Sequence, residues 1–380
     1  MVKASNGSAY GSISIDELDM KRMDDPIFAP FALDHPASTR PDSHRMSSGA
    51  SLGGRVMTDP QGHSDPFTED AVRDAMASIC KPIQAQMIDL ELKLDTLIEE
   101  APPDLADKLA HTLKGGGKRI RPALVLLAGN LYPGKAGSLI SMAVGYELLH
   151  TATLVHDDTI DNAVTRRGRL TANRLWGNHS AVVMGDYLCG CSALMTAETG
   201  SLNAMEIFSQ ALADICGGAI GEHVAGSRKC REEYFTTIRR KTASLFSAAT
   251  ESGAVLSKAP KRAVRALRTY GYNLGMAFQT VDDIHDFASD MSQGGITLPA
   301  ILVLEQSQNR WVADVLDKDP PTGLDLLTEM VEDSCVLDDC HRIAQGFCAE
   351  ACSALAVLPR CSIRDSLRDL VEYVVDRNPI

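Results

Sequence analysis

The stretch "LLHTATLVHDDTIDNAVTRRGRLTANRLWGN", residues 148–178, sets Asp157, Asp158 and Asp161 within five positions and follows them with Arg166 and Arg167. The residues leading up to Asp157 are apolar at three- and four-residue spacing, which reads as a helix. Positions four apart share one helix face, so Asp157 and Asp161 point the same way, with Asp158 beside them. Carboxylates crowded on one face repel, and their pKa values rise unless a cation compensates. Hard oxygen ligands of this kind suit Mg²⁺, which takes carboxylates together with phosphate oxygens and water.

A single such motif is more often a solvated helix surface than a site. This chain has a second: "FQTVDDIHDF" supplies Asp282, Asp283 and Asp286 at the end of another apolar helix. Cationic residues accompany both. Lys118, Arg119 and Arg121 follow a glycine run in "HTLKGGGKRIRPAL", and Lys241 sits in "RRKTASLF". The glycine run lacks P-loop spacing. A guanidinium holds diphosphate oxygens in bidentate fashion, and a lysine adds a point charge. The expectation is a metal held by aspartates, a diphosphate held by metal and arginines, and apolar helices lining a pocket for a hydrocarbon tail.

The remainder of the chain bounds this reading. Of 380 residues, 44% are hydrophobic and only 5% aromatic, and the net charge is −13. Such a chain buries a sizeable core, leans towards helix and lacks a general nucleic-acid-binding surface. No uninterrupted apolar run reaches the ~18–20 residues of a membrane span, and no signal-peptide pattern opens the chain, so a soluble cytoplasmic protein is expected. The ten cysteines read as reduced thiols; Cys335, Cys340, His341, Cys348 and Cys352 cluster without a CxxC pair and read as small residues packed on a helix rather than a zinc site.

Pro26, Pro30, Pro36, Pro41, Pro60 and Pro66 are six of the 17 prolines, and they fall among Ser, Gly and Asp. Residues 1–66 therefore read as a disordered arm or linker. Residues 67–380 read as one all-α domain, a large helical bundle beginning with a long helix over "TEDAVRDAMASICKPIQAQMIDLELKLDTLIEE".

Taken together, "GGGKRIRPAL", "HTATLVHDDTIDNAVTRRG", Gly185-Asp186, "KTASLF", "GMAFQTVDDIHDF", "TLPAIL" and "LRDLVEYVVDR" resemble the trans-isoprenyl diphosphate synthase family, over about residues 75–378 and most like its medium- and long-chain members. The resemblance implies an isoprenoid-synthase fold, three Mg²⁺ ions, a homodimer, and head-to-tail 1'-4 condensation of isopentenyl diphosphate with an allylic diphosphate. It implies Asp157, Asp161 and Asp282 as metal ligands, with Asp158, Asp283 and Asp286 close by. Lys118, Arg121, His150 and Arg167 would hold isopentenyl diphosphate, and Arg166, Lys241, Thr242 and Gln279 would face the allylic diphosphate.

One departure stands out. The family usually carries a lysine-bearing loop after the second aspartate motif, but here no lysine lies between Lys261 and Lys318. A non-catalytic subunit of a heteromeric synthase is therefore an alternative, against which both intact aspartate motifs argue. A class I terpene cyclase is a second alternative, against which "GGGKRIRP" and the absence of an NSE-type motif argue.

Product length follows from the helix before Asp157. Ala152 and Thr153, one turn back, meet the tail first. Short-chain relatives often carry bulky aromatics there, whereas here both residues are small. Leu149 and Tyr146 come next. At ~1.5 Å per residue, a floor seven to eleven residues back adds roughly 10–16 Å, room for about two or three more five-carbon units. The expected product is longer than C20, in the C30–C50 range, with a C15 or C20 product as the alternative if Phe208 or Met184 closes the channel.

Overall fold

A helix whose residues 141–149 are all buried has no solvent face, and the chain wraps the rest of its bundle around it. The computed structural model describes residues 69–225, 230–292, 295–307, 312, 315–316 and 318–375. The arm expected over 1–66 lies outside the described residues. The first helices are α1 (Glu69–Ile79), α2 (Gln84–Glu99), α3 (Pro103–Leu113), α4 (Ile120–Asn130) and the central α5 (Ala136–Ile160). A hairpin follows, β1 (Thr165–Arg166) and β2 (Arg169–Leu170), and then α6 (Ala172–Glu198), α7 (Leu202–Ala225) and α8 (Arg231–Ile238). The last are α9 (Ser244–Leu256), α10 (Lys261–His285), α11 (Phe287–Ser292), α12 (Leu298–Ser307), α13 (Pro320–Glu332), α14 (Val336–Ala354) and α15 (Ser362–Val375). The all-α expectation holds, with the hairpin as an addition.

Three local departures from the sequence reading have physical causes. The long helix expected before residue 100 is two helices, because Pro82 lacks an N–H and the chain makes a 3₁₀ turn over Lys81–Ile83 instead. The stretch "RRKTASLF" contains a π-turn at Arg239–Ala243 between α8 and α9. Such turns are often found at functional sites, and this one carries Lys241 and Thr242. The hairpin turns on Arg167 (φ 51°) and Gly168 (φ 71°), the paired positive φ values of a type I′ turn.

Helix α9 packs against α4, α5 and α10, and so ties the helix carrying the first aspartate motif to the helix carrying the second. Small residues allow this. A Cβ placed at Gly253 would lie 2.3 Å from the Val125 carbonyl oxygen, and one at Gly275 would lie 2.7 Å from the Ala243 Cα. We expect Gly253→Ala to destabilise the protein by about 1–3 kcal/mol through overpacking of α9 on α4, read as a lowered urea midpoint at unchanged m. An unchanged midpoint would show that the contact relaxes freely.

On α14, Cys340 and Cys348 are buried, and burial pushes both thiols up to about 12. Cys352 is half-buried and Cys335 exposed. By length and composition α5 and α6 are apolar enough to cross a membrane, although neither contains an uninterrupted apolar run of that length. In α5, 72% of the relevant stretch is buried inside the protein; in α6 only 39% is, which leaves an apolar face exposed.

Candidate active site

Both aspartate motifs end their helices. Asp161 caps α5, its N–H donating to the Asp157 carbonyl, and Asp286 caps α10 in the same way over Asp282. A helix C-terminus is the negative end of the macrodipole, so carboxylates there are doubly unfavourable until a cation arrives. Burial raises the Asp157 pKa; Lys241, 3.7 Å away, opposes this, while Asp161 and Glu222 add to it. Asp290, one turn beyond Asp286, is pushed up to about 6 by burial and then by Asp286, Asp282 and Glu222. Glu222 on α7 therefore lies in the field of both motifs. It also accepts from Lys241 Nζ at 3.0 Å. Burial opposes the Lys241 charge, but Asp157 and Glu222 outweigh burial and hold its pKa above the ordinary lysine value.

These groups fit a divalent cation. The donors are carboxylates alone, and they raise one another's pKa. That is the arrangement of a hard cation whose remaining ligands are substrate oxygens and water.

The middle aspartates behave differently. Asp158 is buried and takes Arg166 Nε on both oxygens, at 2.8 and 3.0 Å. Asp283 is buried, accepts from Gln279 Nε2 at 2.8 Å and from the Tyr234 hydroxyl at 2.7 Å, and burial raises it to about 7. Gln279 accepts in turn from the Thr242 hydroxyl at 2.7 Å. Thr242, Gln279, Asp283 and Tyr234 thus form one internal chain that fixes the π-turn to α10. In this structure Asp158 and Asp283 serve protein partners, and Gln279 and Thr242 bond each other.

A cleft rich in cations is lined by His150, Arg166, Arg167, Arg169 and Arg119, with Asp158 and Glu147 also in its wall. Arg121 Nε is buried without a hydrogen-bond partner, its guanidinium 4.9 Å from the Phe246 ring centroid, and burial lowers its pKa to about 10. An unpaired buried guanidinium nitrogen is costly, and an incoming anion satisfies it. Burial, then the field of Arg121, Arg167, Arg166 and Arg119, holds the His150 imidazole well below the usual histidine range. Arg167 donates to the Gly116 carbonyl.

Arg119 is a structural residue: it bonds Glu91 (2.8 Å), Glu147 (2.6 Å) and the Leu113 carbonyl (2.9 Å). Its left-handed backbone (φ 49°) sets it apart from the helical Arg121. Neither Lys118 nor Arg121 lines the cleft; the Lys118 ammonium lies 5.9 Å from the Tyr373 ring centroid. Glu222, Asp290 and Tyr234 escape the sequence reading. A lone carboxylate in apolar "GAIGEHVAG" was the one available signal for Glu222.

Residues 102–326 match the sequence pattern of the polyprenyl synthetase family. The chain belongs to that family. Over 306 residues it is 33% identical to "Heptaprenyl diphosphate synthase component 2" of Geobacillus stearothermophilus, covering 76% of this chain and 95% of that one. Its fold is similar to a decaprenyl diphosphate synthase from Rhodobacter capsulatus (TM-score 0.75, 34% identity, 80% of this chain and 99% of that one). It is also similar to a polyprenyl synthase from Caulobacter crescentus complexed with calcium and isoprenyl diphosphate (TM-score 0.74, 29% identity, 79% and 97%). As a polyprenyl synthetase, this chain is a trans-prenyltransferase of the medium- and long-chain type.

Proposed function

We propose that this prenyltransferase condenses isopentenyl diphosphate with an allylic diphosphate to make an all-trans polyprenyl diphosphate longer than C20. The observation that carries the reading is the pairing of two carboxylate-bearing helix ends with a buried arginine, Arg121, which feels the charge of Asp282 and whose Nε has no partner. Asp157, Asp161 and Asp282 are the side chains to hold Mg²⁺, three ions by resemblance, and bound Mg²⁺ would neutralise the allylic diphosphate as it leaves. Lys241, held between Glu222 and Asp157, reaches the same diphosphate. Arg121, Arg167 and neutral His150 bind isopentenyl diphosphate and keep its double bond facing C1 of the allylic substrate, with Lys118 assigned there by resemblance alone. When the C1–O bond breaks, that double bond attacks the allylic cation, and the proton then lost goes to the departed diphosphate. Asp158 and Asp283 act as positioning residues, the first for Arg166 and the second for Gln279 and Thr242.

The two diphosphate sites differ in charge, which gives a direct test. Isopentenyl diphosphate should raise the melting temperature without metal, because its site is cationic; an allylic diphosphate should do so only with Mg²⁺. An allylic diphosphate that stabilises equally well in EDTA would contradict the division of sites.

The depth available to the product follows from α5. Ala152 and Leu149 are fully buried, and Tyr146, further back, is held by the Ser252 hydroxyl at 2.9 Å and by the edge of Phe208, 5.6 Å between ring centroids. This aromatic pair is our floor for the tail. Six residues separate it from Ala152, about 9 Å of helix, so the product falls beyond C20 and towards the shorter end of the C30–C50 range.

For quaternary structure we propose a homodimer. Helix α6 exposes Val182, Val183, Tyr187 and Leu194 (43, 54, 36 and 65% exposed) on its outer side, and a second copy covering them accounts for an apolar surface on a soluble, cytoplasmic enzyme. Val183→Glu combined with Leu194→Glu should convert a dimeric mass in sedimentation equilibrium to a monomeric one. A wild type that sediments as a monomer, or only with a second kind of chain, excludes the homodimer. We assign catalysis to residues 67–380 and none of it to the arm over 1–66.

A further inference from the structure

We propose that His111 and Arg169 form a clamp that positions the β1–β2 hairpin, and with it Arg167, for isopentenyl diphosphate; this rests on the cleft assignment made above. The hairpin has two residues per strand, too little to hold a shape alone. Its inward anchor is Arg166 on Asp158. Its outward anchor is His111, in the last turn of α3.

The His111 ring Nε2 lies 2.9 Å from the Leu170 carbonyl, which only accepts, so this nitrogen carries the proton. Nδ1 is then a lone pair, and it accepts from Arg169 at 2.9 Å, while a second Arg169 nitrogen donates to the His111 carbonyl at 3.0 Å. Three bonds thus run between one α3 residue and the two residues of β2. The ring itself is set edge-on against Trp176 of α6, 5.3 Å between centroids, with Lys108 5.8 Å from the centroid of the same indole. The imidazole is therefore oriented by α6, committed to one tautomer, and bonded through both nitrogens to the strand that follows the Arg167 turn. Arg167 meets the other side of the glycine run at Gly116. A guanidinium that must meet a diphosphate in a fixed fork geometry depends on such a frame, because a loose turn must be ordered again at each binding event.

The test is steady-state kinetics on His111→Ala, Arg169→Ala and the double variant, with both substrates varied. Arg169 is exposed, so its variant is expected to fold even if the His111 variant does not. Each single variant should raise KM for isopentenyl diphosphate roughly ten-fold, with kcat and KM for the allylic diphosphate changed by less than about two-fold, and the double variant should be no worse than either single. An unchanged KM for isopentenyl diphosphate overturns the clamp. So does an equal rise in both KM values, the mark of a merely structural loss, or an additive double variant. A wild type without turnover sinks the functional reading and the clamp with it; an active wild type without the KM split sinks the clamp alone.

Discussion

Asp157→Ala and Asp282→Ala should each lower turnover by ~10³-fold or more while leaving the fold in place, since several kcal/mol of leaving-group stabilisation vanish with one metal-binding carboxylate. For Asp157 the fold is expected to survive on electrostatic grounds. Burial and like charges raise the Asp157 pKa, and removing the group relieves both. Asp158→Ala should behave differently. It strands Arg166, so loosening of the hairpin and a weaker grip on isopentenyl diphosphate should accompany any loss of rate. Circular dichroism and a Mg²⁺ titration of the remaining activity separate the cases. Turnover within a few-fold of wild type in Asp157→Ala or Asp282→Ala would remove these residues from the site.

Ala152→Phe should shorten the product towards C15–C20 without abolishing condensation, and Tyr146→Ala should lengthen it. The two changes act at opposite ends of one stretch of α5. A phenyl ring at the fully buried position 152 closes the path about one turn from Asp157. Removing the Tyr146 ring opens the floor and leaves Phe208 without its edge contact and Ser252 without its partner, so a stability loss of about 3–5 kcal/mol is expected beside the longer product. Phe208→Ala should lengthen the product as well and offers the same test through another helix. Reversed-phase separation of dephosphorylated products reads all three. A distribution that does not move in Ala152→Phe would sink the floor argument and leave the transferase assignment standing.

The fold was legible because its deciding signals are local. Apolar spacing marks α5 and α10, and each ends on a four-residue aspartate step whose face a helix fixes automatically. Distinctions inside the site were not legible, because they depend on what returns through space. Asp157 and Asp158 are neighbours with the same chemistry; only the hairpin, bringing Arg166 back, commits Asp158 to an internal pair. Asp283 is committed to internal partners by Gln279 and Tyr234. Arg119 and Arg121 share one motif, and a left-handed backbone at Arg119 sends one to Glu147 while the other stays buried with an unpartnered Nε. Glu222 and Asp290 acquire meaning only once α7 and α11 stand beside the two motifs.

The loss of the lysine-bearing loop bears on the same geometry. Among the described residues, Lys241 is the lysine paired to the first motif, and no lysine follows the second until Lys318. We expect the missing lysines to leave more of the charge at Asp286 and Asp290 to be balanced by cations that arrive with substrate.

The most direct measurement is incorporation of labelled isopentenyl diphosphate by the purified wild type, with a C15 allylic diphosphate and Mg²⁺, run beside Asp282→Ala and an EDTA control. The account predicts a metal-dependent polyprenyl diphosphate longer than C20 from the wild type and almost none from the other two. No incorporation by the wild type, or a cyclised hydrocarbon formed from the allylic diphosphate alone, would contradict it.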